Sequence, residues 1–354
     1  MFFYSLIVFI GLILTLIGIY EKRYDSPCYF AFSVILIILA GCRYGISTDY
    51  FAYLDIFQNS TKAISNEGRL EYGYLFLNQA FSFFGLSLGL LFAFTTSIIF
   101  LNLYMALKNF NVNKTCGLFV YFCIFYFINV FNIVRHGIAA SFILYAFSLV
   151  SKNNFFKAVL VLLFSSLFHY ISLVFLPIIF ISRIRFNRKF IFISMIICLF
   201  FFRFMNDILV SLVTKLLPGN FNYFINSYIN VKNESNIGNG TFIYFLLFFV
   251  FSLYQKKMKL VNTNMGYNIT YNMMYLSFIF LIVLWQIPTA LERLLNITRH
   301  GIIILIPYFF NIYKKDNKIL IFILIIAICL LFYFNSMFLS DIPGKYAHFP
   351  YRWK

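Results

Sequence analysis

The stretch NIVRHGIAASFILYAFSLVSKNNFF, residues 132–156, decides the fold. Arg135 and His136 stand at its head, the residues from Gly137 to Ser151 carry no charge, and Lys152 closes the run. A helix needs about 20 mostly apolar residues to cross roughly 30 Å of hydrocarbon, and this segment has that length scale with charge only at its rims. VILIILA (34–40) and IFILIIAICLLF (321–332) read the same way. They are continuously apolar, without the alternation of a membrane barrel strand.

The pattern recurs along the chain, which is 62% hydrophobic and 11% charged with mean hydropathy +0.87. That is too little polar surface for a water-soluble globule of 354 residues. The expected fold is all-α, a polytopic integral membrane bundle forming a single transmembrane domain over 1–354. About eleven spans are expected, at roughly 2–20, 28–42, 86–107, 115–134, 136–151, 190–213, 241–254, 270–291, 299–313 and 318–338, with 72–84 either the eleventh or a half-inserted interfacial helix. Residues 2–20 lack a basic start and exceed a signal core, so they read as the first span.

The net charge of +17 follows the membrane, which argues against nucleic acid as a partner. With the N-terminus outside, six cytoplasmic segments (21–25, 108–114, 152–157, 183–189, 255–259, 314–318) hold 16 of the 28 basic residues against only Glu21, Asp25 and Asp316. This leaves residues 43–71, 214–240 and the tail 339–354 facing outward. Residues 155–182 have basic flanks on both sides and are too long for one span. They read as a broken or re-entrant helical hairpin with Ser165, Ser166, His169 and Tyr170 at its turn. Non-helical backbone at membrane depth requires protein or a wet cavity around it.

NIVRHGI (132–138) recurs as NITRHGI (296–302). In this topology Arg135 and Arg299 each begin a helix running inward from the outer side. A helix N-terminus already carries partial positive charge and unpaired N–H groups, so an added arginine suggests an anion. Arginine's planar fork matches phosphate oxygens in pairs. Gly137 and Gly301 would let a ligand or a neighbouring backbone approach closely. The plainer alternative is that both arginines reach outer-leaflet headgroups. The six cysteines show no CxxC pair, so neither a metal site nor a disulfide framework is expected. Asp49 and Asp55 form no DxD, and metal-independent chemistry is favoured.

Three stretches carry a resemblance. RYGISTDYFAY (43–53), the opening stretch, and LLFSSLFHYISLVFLPI (162–178) resemble the EpsG/Wzy-type polysaccharide polymerases. The matching residues are Arg43, Gly45, Asp49, Tyr50 and Tyr53, then Asn132, Arg135 and Ala139, then Phe168, His169, Ser172 and Pro177. Ser47 stands where that family often has glycine, and ERLLNITRHG (292–301) resembles its Glu-Arg stretch more loosely. The resemblance implies a GT-C-like glycosyltransferase of the bacterial inner membrane with its site facing the periplasm or exterior. It would join lipid-linked repeat units of O-antigen or capsular glycan, with undecaprenyl-diphosphate-linked oligosaccharide as donor and acceptor, membrane lipids around it, and a chain-length regulator as protein partner. No cofactor is implied.

Such a transfer must neutralise a departing diphosphate and deprotonate a hydroxyl. Arg43, Arg135, Arg293 and Arg299, all on the outer side in this topology, suit the first task, since ionisable residues at a membrane edge are costly. His169 is the first candidate base and Asp49 the second. Tyr50, Tyr53, Asn132, His136 and His300 are candidate substrate contacts, although both histidines adjoin an arginine and so face elsewhere on the helix. An O-antigen ligase and a flippase for lipid-linked sugars are the rival readings.

Overall fold

Long apolar runs with polar caps give helices here. Ser87 caps helix α5 (Leu88–Phe110) by accepting the Leu90 N–H at 3.3 Å, and Asn111, in the left-handed region at φ 57°, ends it. Asn113 then caps α6 (Lys114–Tyr121), accepting the Cys116 N–H at 2.8 Å. The computed structural model describes residues 2–60, 71–187, 189–198, 200, 239–253, 265–284, 288–312, 323 and 326–333.

Helices α1 (Phe2–Tyr20) and α2 (Asp25–Gly41) lead to two short helices, α3 (Tyr50–Gln58) and α4 (Tyr72–Phe83). After α5 and α6 the chain continues as an eleven-residue π-helix (Phe122–Asn132) into α7 (Val134–Ser151). The expected hairpin is α8 (Phe155–Ser166), a 3-10 turn (Tyr170–Val174) and α9 (Phe175–Ile181). Stacking of Phe155 on Phe180, with ring centroids 5.8 Å apart, closes its open end. Then come α10 (Lys189–Cys198), α11 (Asn239–Leu253), α12 (Gly266–Val283), α13 (Pro288–Arg299) and α14 (Gly301–Ile312). Residues 326–333 are helical as well. Helices over Lys22–Gly41, Leu88–Phe110, Lys114–Asn132, Val134–Ser151 and Gly266–Val283 are long and apolar enough to cross a membrane. At twelve residues, α4 is too short to be an eleventh crossing. The expected segments at 201–213, 214–238 and 339–354 lie outside the described residues.

Two ends of the bundle differ in chemistry. At one, the buried Asp25 carboxylate accepts the backbone N–H groups of Lys114 (3.0 Å) and Thr115 (2.9 Å) and the Lys114 Nζ (2.7 Å). It thereby fills the N-terminus of α6, where anions are favoured. Asn268 and Asn272 of α12 donate to the carbonyls of residues 182–184 at this end, and Tyr308 donates to the Phe110 carbonyl at 3.0 Å. These contacts gather the basic segments near 21–25, 108–114 and 183–189. The opposite end gathers residues 43–60, 71–87, 129–137 and the hairpin turn: Ser47 Oγ donates to the Phe131 carbonyl at 2.7 Å, and Gly73 N–H donates to the Leu167 carbonyl at 2.8 Å.

One expectation is overturned. Arg299 does not open a helix at the outer edge; it lies in the last turn of α13, and the chain breaks only at His300. Helices α13 and α14 together form one broken passage whose break is inside the bundle, with Gly301 packed against the Thr270 carbonyl. The expected spans 270–291 and 299–313 therefore become 266–283 and 288–312, because the polar residues of ERLLNITRH ride on a helix packed on α12 instead of forming a loop.

Candidate functional site

The π-helix sets the site. Its wide turns, seen in the Ile133 N–H donating to the Ile128 carbonyl at 2.9 Å, end at Ile133 (φ −95°, ψ 59°), and α7 starts one residue before Arg135. π-Helical segments concentrate at functional sites. Gly137 makes the junction fit: a Cβ there would lie 2.2 Å from the Asn129 carbonyl oxygen. The glycine thus serves a neighbouring backbone, and the same holds for Gly301.

Arg135 ends up in the first turn of α7, ion-paired with Glu71 and beside the Tyr53 hydroxyl. The arginine side chain is 29% exposed and the Glu71 side chain 8%, so Arg135 is the more open member of the pair. Glu71 was not among the sequence candidates. Its signal was an acid placed directly before the apolar run 72–84. It is held there by α4, whose Gly73 abuts the hairpin turn so closely that a Cβ would meet the Leu167 carbonyl at 2.8 Å.

That turn carries His169. Arg293 Nη1 donates to its Nε2 at 3.1 Å, while the Ile171 N–H points at Nδ1 from 3.3 Å. A neutral imidazole has one lone pair, and the charged donor at the shorter distance takes it. With donors facing both nitrogens, the ring has no place for a second proton. His136 is buried and edge-on to His169, with centroids 5.2 Å apart. Arg135, Arg293, His136 and His169 therefore form one group at the end remote from the basic segments.

Arg43 adjoins this group through tyrosines. It is 1% exposed, its guanidinium lies 4.1 Å from the Phe92 ring centroid and 4.4 Å from that of Phe131, and its three nitrogens have no hydrogen-bond partner among the described residues. Burial lowers its pKa to about 10, which leaves it cationic at neutral pH. Tyr53 and Tyr74, with ring centroids 5.7 Å apart, interact with both Arg43 and Arg135. Tyr50 packs on Phe92 in the same wall. Ser47, at φ 82°, takes the left-handed backbone that favours glycine, held by its bond to the Phe131 carbonyl. Asn132 is buried, and Thr48 Oγ1 lies 3.4 Å from its Oδ1 and 3.1 Å from Asp49 Oδ1. Asp49 itself is half-buried at the start of α3. Asp55 is exposed and accepts from Asn59 at 2.8 Å, apart from Asp49.

Two sequence candidates lie at the break between α13 and α14, where His300 neighbours His136. Arg299 stacks on the Tyr244 ring of α11 at 4.3 Å. His300 is held at both nitrogens, with Nδ1 2.6 Å from the Asn296 carbonyl oxygen and Nε2 3.1 Å from Asn129 Nδ2, and its ring stacks on Phe125 at 4.1 Å.

The resemblance carried by Arg43, Arg135 and His169 extends far beyond those motifs: the EpsG family model matches residues 26–353. No curated protein matches the chain, and no solved structure does. The chain is a multi-pass helical membrane protein and belongs to the EpsG family, the EpsG-type polysaccharide polymerases.

Proposed function

We propose that this protein extends O-antigen or capsular glycan by transferring lipid-diphosphate-linked oligosaccharide onto a hydroxyl of another lipid-linked repeat unit, on the extracytoplasmic side of the bacterial inner membrane. The observation that carries this reading is the grouping of Arg135 and Arg293 around His169 at the end opposite the basic segments. Leaving-group departure puts negative charge on the diphosphate. Guanidinium groups fixed beforehand in a poorly solvated site stabilise that charge without reorganising. Arg135, partly exposed, and Arg293 contact the diphosphate; Arg43, behind Tyr53 and Tyr74, adds its field. His169 aims Arg293 through Nε2. Tyr50, Tyr53 and Asn132 border the sugar. The arginines supply the positive charge that a divalent cation would otherwise bring.

The test is purified protein reconstituted with undecaprenyl-diphosphate-linked oligosaccharide. Longer glycan on the lipid is the expected product. Transfer to lipid A core with no lengthening would mean a ligase, and movement of unextended donor across the bilayer a flippase; either result overturns the proposal.

A further inference from the structure

The transfer also needs a base, and the geometry points to Glu71 as the proton acceptor, parked on Arg135 until the donor's diphosphate displaces it. This inference rests on the diphosphate reading above. Three observations carry it. Glu71 is the buried carboxylate at this end among the described residues, whereas Asp49 is half-buried, and Asp55 and Glu292 are exposed. Its partner is Arg135, the more exposed member of the pair, so an arriving anion competes for the same guanidinium. Its place is fixed by backbone: the Gly73 N–H to Leu167 carbonyl bond seats α4 against the hairpin turn that holds His169, and the Leu75 N–H donates to the Glu71 carbonyl at 3.1 Å. His169, by contrast, already has donors at both ring nitrogens.

A diphosphate offers two phosphoryl groups to a guanidinium fork and outcompetes one carboxylate for it. A carboxylate that has lost its arginine and faces an anion holds a proton more readily. In the step itself, the acceptor hydroxyl gives its proton to the Glu71 carboxylate while its oxygen bonds to the anomeric carbon. The bond from that carbon to the diphosphate oxygen breaks, and the electron pair leaves with the lipid diphosphate, held by Arg135 and Arg293. Glu71 then returns its proton to water and closes again on Arg135. The ion pair thus blocks the base in the empty enzyme and exposes it only when donor is present.

The experiment separates kcat from binding, using Glu71→Gln, Glu71→Asp and Arg135→Ala in the full chain, with undecaprenyl diphosphate as the binding probe. Glu71→Gln is expected to bind the probe as well as the wild type or a few-fold tighter, with kcat lowered about 100-fold or more, the usual scale for losing a general base. Glu71→Asp should recover part of the kcat. A Glu71→Gln kcat within about three-fold of wild type overturns the inference. So does loss of probe binding with kcat retained at saturation, which would make Glu71 a positioning residue for Arg135. Should Glu71→Gln not accumulate in the membrane, Glu71→Asp decides by the same split. Arg135→Ala tests the underlying reading separately: normal probe binding there removes the diphosphate site whatever Glu71 does.

Discussion

NIVRHGI and NITRHGI differ at one residue in seven, yet they occupy unlike places. In the first phrase the chain breaks before the arginine, at Ile133, so Arg135 sits in the first turn of α7 and meets Glu71 at the bundle end. In the second the break comes after the arginine, at His300, so Arg299 sits in the last turn of α13 and stacks on Tyr244. The differing residue takes part. Thr298 Oγ1 donates to the Leu294 carbonyl at 2.9 Å, tying it to the preceding helical turn, whereas Val134 has no hydroxyl and stands where α7 begins. A cation in a first turn opposes the helix dipole and favours an anion beside it; a cation in a last turn already complements the dipole. The lesson is that an arginine's function depends on which side of it the helix breaks. The glycines, in contrast, do the same job in both phrases.

This difference orders the expected effects of mutation. The largest belongs to Arg135: Arg135→Ala should lower glycan extension by about 100-fold or more, the scale of removing one preorganised donor from a developing anion. Arg135→Lys should also fall well below wild type, since a point charge lacks the paired geometry. Next comes Gly137→Ala, which drives a Cβ into the Asn129 carbonyl; such overpacking costs about 1–3 kcal/mol, read as earlier thermal unfolding in detergent, and more so than Gly301→Ala, whose clash with the Thr270 carbonyl is at 2.7 Å. Arg299→Ala follows, losing a cation–π contact of about 1–2 kcal/mol and lowering thermal stability while extension stays within several-fold of wild type. Thr298→Val should cost least, about 1 kcal/mol from the hydroxyl's bond, without change in extension rate. An equal loss of extension from Arg299→Ala and Arg135→Ala would erase the distinction between the phrases.

The helical membrane class was legible because burial in hydrocarbon imposes length and continuity on each segment, as in 134–151. The break expected within 155–182 from its two basic flanks coincides with the 3-10 turn between α8 and α9. Arg135, Arg293 and His169 were named from type and place, and the structure brings them together. Where α13 ends was not legible: periodicity shows an apolar face, but the break at His300 depends on contacts from α12 and the π-helix, made by residues distant in the chain. Glu71 was hidden for a related reason. Nothing local to GRLEYGY says that α4 folds back on the hairpin turn and carries that carboxylate to Arg135, 64 residues on.

The most direct test is a titration of undecaprenyl diphosphate against the wild type, Arg135→Ala and Arg299→Ala in matched detergent. At least a ten-fold weaker Kd is expected for Arg135→Ala and an unchanged Kd for Arg299→Ala. Wild-type affinity in the first variant, or equal weakening in both, would contradict a diphosphate site at Arg135.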